Sequence, residues 1–172
     1  MLSNTTSDLH YITHTLPIVS FLTALYYVCF SLRYIFSELL RLHLPAIFTH
    51  FANLRFPIDL FTEWFMTMFA MVSVPHTTAA RIWDYCICRG PKSVYRIALA
   101  VLASNEKRVL NMTLEEIHMF FRHEKPDCFY KPDLLIEIGE AFKITNRIVE
   151  EMQGMAIMHM QEHGSKLPYW EN

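Results

Sequence analysis

Apolar residues recur along this chain at intervals of three and four. Leu32, Ile35, Phe36, Leu39 and Leu40 form one stripe, with Arg33, Ser37, Glu38 and Arg41 off it. Pro45 is placed to open the next helix, where a missing N–H costs nothing, and Ile47, Phe51 and Leu54 then line one face. Pro57 opens another, with Asp59 and Glu63 early, where carboxylates suit the positive end of the helix dipole. Trp64, Phe65, Met66, Met68, Phe69, Met71 and Val72 wrap nearly all sides of that helix, so it is expected in the centre of the fold or in lipid. Pro75 restarts the chain, Ala79, Ile82, Trp83, Cys86 and Ile87 keep the spacing, and Gly90 suits a C-terminal stop. Pro91 begins a helix carrying Val94, Ile97, Ala98, Val101 and Leu102. Thr113 and Glu116 read as a capping box ahead of Ile117, Phe120 and Phe121. The segment His123 to Lys131 reads as a loop and as the place where an independent boundary, though weak, would fall. Pro132 opens a helix with Leu134, Leu135, Ile138, Ala141 and Phe142, and a last helix carries Ile148, Met152 and Met155 before fraying at Gly164 and Ser165. No strand alternation competes. The pattern predicts an all-α, multi-helix layered bundle of about eight short helices around one core.

Composition narrows the picture. The chain of 172 residues suits one domain, and a content of 52% hydrophobic and 14% aromatic residues excludes disorder. Four glycines are too few for a phosphate-cradling loop or a turn-dense β-sandwich, and four scattered cysteines do not make a disulfide framework. A net charge of −2 gives no nucleic-acid footprint. The N-terminus lacks the basic start of a secretory signal. Leu9 to Leu32 contains no Asp, Glu, Lys or Arg, so residues 1–31 read as an N-terminal apolar helix region. Its denser part, Leu16 to Leu32, would span roughly 25 Å, the short limit for crossing a bilayer. A buried helix broken at Pro17 is the expected reading. A small membrane-anchored protein with a span near 16–32 is the alternative.

Candidate chemistry is sparse. Cys86 and Cys88 are too close for the usual metal-ligand spacing and lie at alternate helix positions that point apart, so no metal is expected. His43, His50, His118 and His123 read as surface or loop residues, and H-E-x-x-H is absent. Glu115–Glu116 and Glu150–Glu151 read as solvated helix faces. Met152, Met155, Met158 and Met160 fit an amphipathic terminal helix packed on its own core better than an adaptable partner groove. Neither a nucleophile elbow nor a phosphate loop is present, and no cofactor is expected.

Two segments point further. One runs Leu39-Leu40-Arg41-Leu42-His43-Leu44-Pro45-Ala46-Ile47-Phe48-Thr49-His50-Phe51. The other runs Trp64-Phe65-Met66-Thr67-Met68-Phe69-Ala70, followed by Ala80-Arg81-Ile82-Trp83-Asp84-Tyr85 and Gly90. In order and spacing they resemble the C-terminal half of the TBC domain, the helical domain of Rab GTPase-activating proteins. Its pattern there runs roughly L-P-x-L-x-x-H, W-F-x-x-x-F-A and R-I-W-D before a glycine. The resemblance covers about Leu32 to Met152, which makes 32–152 a half-domain and 153–172 a helix end and tail. Pro45, Trp64, Phe65, Phe69, Arg81, Trp83, Asp84 and Gly90 are its structural signature. Trp64 and Trp83 would anchor two packed antiparallel helices. Arg81 and Asp84, three residues apart, would pair as a partly buried anchor.

The resemblance implies a Rab-type small GTPase as partner, a role in vesicle traffic, and peripheral association with endomembranes. The family accelerates hydrolysis with an arginine in I-x-x-D-x-x-R and a glutamine in Y-x-Q. Such an arginine is worth about 10³–10⁵ in rate in GTPase systems. Neither motif occurs in this sequence, whose glutamines are Gln153 and Gln161. No catalytic residue is therefore carried over, and Arg81 belongs to the packing motif. The chain is expected to be a truncated or non-catalytic module rather than an enzyme. A catalytic half upstream is favoured over a degenerate binding relative or an anchored form, with a helical adaptor as a further alternative. Helices that once packed on a missing half would expose apolar surface.

Overall fold

The computed structural model describes residues 5–168 apart from 72, 125 and 165, with side chains from residue 24 onward. It is all-α, and the described residues contain no strand. Among the described residues nine α-helices follow in order: α1 Thr5–His43, α2 Pro45–Asn53, α3 Thr62–Met66, α4 His76–Arg89, α5 Lys92–Ser104, α6 Glu106–Val109, α7 Leu114–His123, α8 Pro132–Ala141 and α9 Asn146–His163. Single 3₁₀ turns cover Ile58–Phe61 and Asp127–Tyr130.

Several sequence signals act as expected. Pro45 sits in the first turn of α2. Gly90 ends α4 with a φ of 83°, a left-handed conformation that favours glycine. Thr113 caps α7, its hydroxyl accepting from the Glu116 N–H while the Glu116 carboxylate accepts from the Thr113 N–H at 2.8 Å.

The centre is α5. Tyr95 through Leu102 are all buried, so this helix is enclosed by the others rather than amphipathic. It packs against α8, α4, α1 and α3, while α9 and α2 pack along α1. Gly139 lets α8 come close: a Cβ there would lie 3.3 Å from the Arg96 carbonyl oxygen. Arg96 is the charged residue inside this apolar helix. Its Nη1 donates to Glu140 at 2.9 Å and its Nη2 to the Ile144 carbonyl at 2.8 Å, tying α5 to the end of α8.

Four expectations need correction. The helix expected to run from Pro57 through Val72 is instead a 3₁₀ turn and the short α3. It stops at Met66 because the chain turns left-handed at Met68 (φ 47°) and Phe69 (φ 64°). Pro17 does not break the first helix: the backbone is helical from Thr5 to His43, about 58 Å, and gives up only the hydrogen bond that proline cannot donate. The elements are therefore not uniformly short. The stretch His123 to Lys131 is not wholly a loop, because Asp127–Tyr130 form a 3₁₀ turn within it. Phe129 is fully buried and its carbonyl accepts from Thr78 Oγ1, so α4 pins the segment from the other side. Of the membrane span considered near 16–32, the side chains before residue 24 lie outside those described. Among the described residues no helix is long and apolar enough to cross a membrane. α1 runs unbroken through residues 31–32 and α9 through 152–153.

Candidate functional site

Aromatic rings close the region around Trp64, which is 2% exposed. Phe61 lies 4.6 Å from it and Phe121 5.2 Å, both edge-on, with Phe69 at 5.5 Å. Edge-to-face pairs of this kind add about 0.5–1.5 kcal/mol each beyond burial. Phe65, on the next position of α3, faces the other way and packs on Phe36 at 5.1 Å and Tyr95 at 5.2 Å. The left-handed turn that follows is held by the Phe69 N–H donating to the Trp64 carbonyl at 2.9 Å and by the Thr67 hydroxyl donating to the Glu63 carbonyl at 2.7 Å.

Trp83 differs from the anchor expected of it. Its ring is 43% exposed, yet its Nε1–H donates to the Met68 carbonyl at 2.8 Å. The indole therefore clamps the strained turn from outside and does not fill the core. This bond joins α4 to the end of α3, two elements that otherwise touch little. Arg81 and Asp84 are both exposed and do not pair. Arg81 Nε instead donates to Asp133 Oδ1 on α8 at 2.9 Å, a solvated bridge worth about 0–1 kcal/mol. Asp84 makes no ion pair among the described residues. It faces solvent because Ile82, Tyr85 and Cys86 take the core side of α4.

Beside that turn an open groove of about 480 Å³ runs between α1, the α3–α4 connection, the α4–α5 corner and α9. Phe65, Tyr95 and Ile35 form its floor, while Val28, Met68 and Ile87 form its rim. Ile87 is 80% exposed although it lies in the last turn of a packed helix. Among the described residues no charged side chain lines the groove. Burial pushes the Cys86 thiol up to about 11 and raises the Tyr95 phenol, so both stay neutral near pH 7. Gly90 forms the groove's end, where its backbone approaches Asn146 at the start of α9: a Cβ would come within 3.3 Å of the Asn146 amide. The lining offers no activated nucleophile and no general base. It can seat apolar side chains of a partner.

The structure thus brings Phe65, Phe69, Trp83 and Gly90 to the turn and groove. It puts Trp64 behind them in the core and leaves Pro45 and Arg81 remote. Pro45 is exposed at the start of α2, where its carbonyl accepts from Thr49. Cys86 is buried and Cys88 exposed, so the two thiols diverge. On α9, Met152 and Met160 are buried while Met155 and Met158 are exposed. Sequence reasoning missed the rim residues Val28 and Ile87, whose apolar type predicted burial. It also missed Arg96, for which a signal existed in the isolated charge among Val94, Tyr95, Ile97 and Ala98.

Comparison with known proteins finds the Rab-GTPase-TBC domain over residues 4–110. The human ecotropic viral integration site 5 protein homolog is 28% identical over 122 residues, which is 70% of this chain and 15% of that protein. Human TBC1 domain family member 10B is 29% identical over 140 residues, 78% of this chain and 17% of that protein. A Caenorhabditis elegans relative, Rab GTPase-activating protein eat-17, is 23% identical over 112 residues, 64% of this chain and 12% of that protein. The chain thus spans less than a fifth of the length of these relatives.

Proposed function

The chain belongs to the Rab-GTPase-TBC domain family, and from that premise we propose that it serves as the scaffold half of a regulator of Rab-type small GTPases in vesicle traffic. The observation that carries this reading is the family match over residues 4–110. The scaffold residues Trp64, Phe65, Phe69, Trp83 and Gly90 shape the turn and groove. The uncharged rim of Val28, Met68 and Ile87 supports a role in contact rather than chemistry.

In this reading the chain binds a GTPase without accelerating hydrolysis. Transition-state charge at the transferring phosphoryl group needs a positioned cation, and water needs a positioned amide. The sequence contains neither I-x-x-D-x-x-R nor Y-x-Q. Arg96 is enclosed by Glu140 and the Ile144 carbonyl, which keeps it from a partner's nucleotide, and Arg81 belongs to the packing motif rather than to a finger motif. Attachment to endomembranes would follow from the bound GTPase.

The test is single-turnover GTP hydrolysis by a panel of Rab proteins with and without this chain, run beside binding measurements in the GDP and GTP states. The expected result is binding that depends on nucleotide state, with no stimulation of hydrolysis. Stimulation by tenfold or more would overturn the non-catalytic reading. Absence of binding to every Rab would overturn the partner.

A further inference from the structure

Two hydroxyls line the apolar groove without a partner, and the proposed contact with a GTPase does not use them. Ser31 on α1 is 8% exposed and Tyr95 on α5 is 3% exposed. Neither side chain makes a hydrogen bond to a described residue. Other buried or helical hydroxyls of the chain do find partners. Ser37, on the same helix as Ser31, donates to the Tyr34 carbonyl at 2.8 Å, and Ser104 donates to the Ala100 carbonyl at 2.7 Å, the usual resort of a helical serine. The Tyr85 phenol accepts from Arg96 Nη1 at 3.5 Å. A tyrosine buried as deeply as Tyr95 ordinarily bonds its hydroxyl.

The two oxygens also keep a little surface. Among the described residues the unbonded side-chain atoms that are wholly enclosed are Arg33 Nε, Thr62 Oγ1, Ser93 Oγ and Arg96 Nε. The Ser31 and Tyr95 oxygens are not in that set, so the small exposed area of each residue includes its hydroxyl, on the groove it lines. Burial holds the Tyr95 phenol protonated, which makes it a hydrogen-bond donor. Gln153 on α9 adds an uncharged amide. A volume of about 480 Å³ with apolar walls and a few polar groups is the form of a small-molecule site. The walls also state the charge of what fits. With no charged side chain among the lining residues, a carboxylate or an ammonium group would lose its water and gain no counter-charge.

We infer that the groove binds an uncharged amphipathic small molecule, an apolar chain bearing a carbonyl or hydroxyl that pairs with Ser31 and Tyr95. The chain lies over Ile35 and Phe65, and the oxygen accepts from the Tyr95 phenol. The inference goes beyond the GTPase reading, and its test contains no GTPase, so its failure leaves that reading standing.

The experiment is a fluorescence titration of the full chain with Nile red, an uncharged dye with a carbonyl, followed by displacement with 2-decanone or with decanoate at about pH 8. One saturable site is expected, with 2-decanone displacing the dye at a concentration at least tenfold below that of decanoate. The double variant Ser31→Ala/Tyr95→Phe deletes no internal hydrogen bond, so its thermal midpoint should match the wild type while 2-decanone binds about tenfold more weakly. The comparison of ketone with carboxylate on the wild type stands whether or not the variant folds. Equal displacement by decanoate, or binding of 2-decanone unchanged in a folded double variant, would overturn the inference and leave only unselective dye adsorption. Absence of saturable Nile red binding would overturn it too. A dimer in sedimentation that Ile87→Glu renders monomeric would then assign the groove to a second copy of the chain.

Discussion

Around Trp64 the chain closes over its aromatic rings, whereas beside Trp83 it leaves an apolar groove open. Both regions use the same residue types and meet at one turn, Met66 to Phe69. In the closed region the rings of Phe61, Phe69 and Phe121 surround the indole and stability comes from packing. In the open region the indole is 43% exposed and donates one hydrogen bond to the Met68 carbonyl, and Val28 and Ile87 leave half or more of their surface uncovered. The contrast separates the part of the molecule that holds the fold from the part available to a partner.

The largest effect is expected for Trp64→Ala, which removes the centre of the aromatic cluster and leaves a cavity. A loss of about 3–5 kcal/mol is expected in chemical denaturation. A small loss would mean that the closed region is not closed. Arg96→Met tests the second internal tie. It removes the Arg96 donors from the Ile144 carbonyl and from Glu140, which keeps its bridge to Arg89 at 3.5 Å, and since Glu140 is partly solvated the expected cost is about 2–3 kcal/mol. Trp83→Phe keeps an aromatic ring but loses the bond to Met68, at about 1 kcal/mol by thermal unfolding. Ile87→Ser lies at the other extreme: stability should change by less than about 0.5 kcal/mol, while binding of the proposed Rab partner should weaken severalfold in a pull-down titration. A destabilised Ile87→Ser with unchanged binding would reverse the contrast drawn between the two regions.

The smallest effect concerns pH. Burial holds His43, packed edge-on to Phe142, below the usual imidazole value. The folded state therefore takes up its proton less readily than the unfolded chain. The contribution to stability is present above the unfolded value near 6.5 and is lost as pH falls through the lower folded one. His43→Gln should flatten the decline of the urea midpoint between pH 7 and pH 5, and an unchanged slope would exclude His43 as its source.

Pro45, Gly90 and the Thr113 capping box were legible because they act through the backbone within one or two turns of themselves, whereas Pro17 and Pro57 misled. The site was only partly legible. Phe65 and Gly90 stood out by motif, but Trp83 was assigned to the core when its ring faces outward. Periodicity could not distinguish a groove rim from a buried stripe, since Ile87 and Ile82 share a type and a helix. Arg81 and Asp84 share spacing that permits a pair, yet Asp133 on a distant helix offers Arg81 its carboxylate.

By itself the sequence determined that the chain is helical, where most helices start and stop, and that a large apolar core must form. Those outcomes depend on local backbone chemistry and on the period of the apolar positions. Only the tertiary structure decided which apolar faces are covered, which carboxylate each arginine meets, and that Met68 and Phe69 turn left-handed to end α3. Those outcomes depend on contacts between residues far apart in the chain, whose free energies exceed local preferences and leave no signal in spacing.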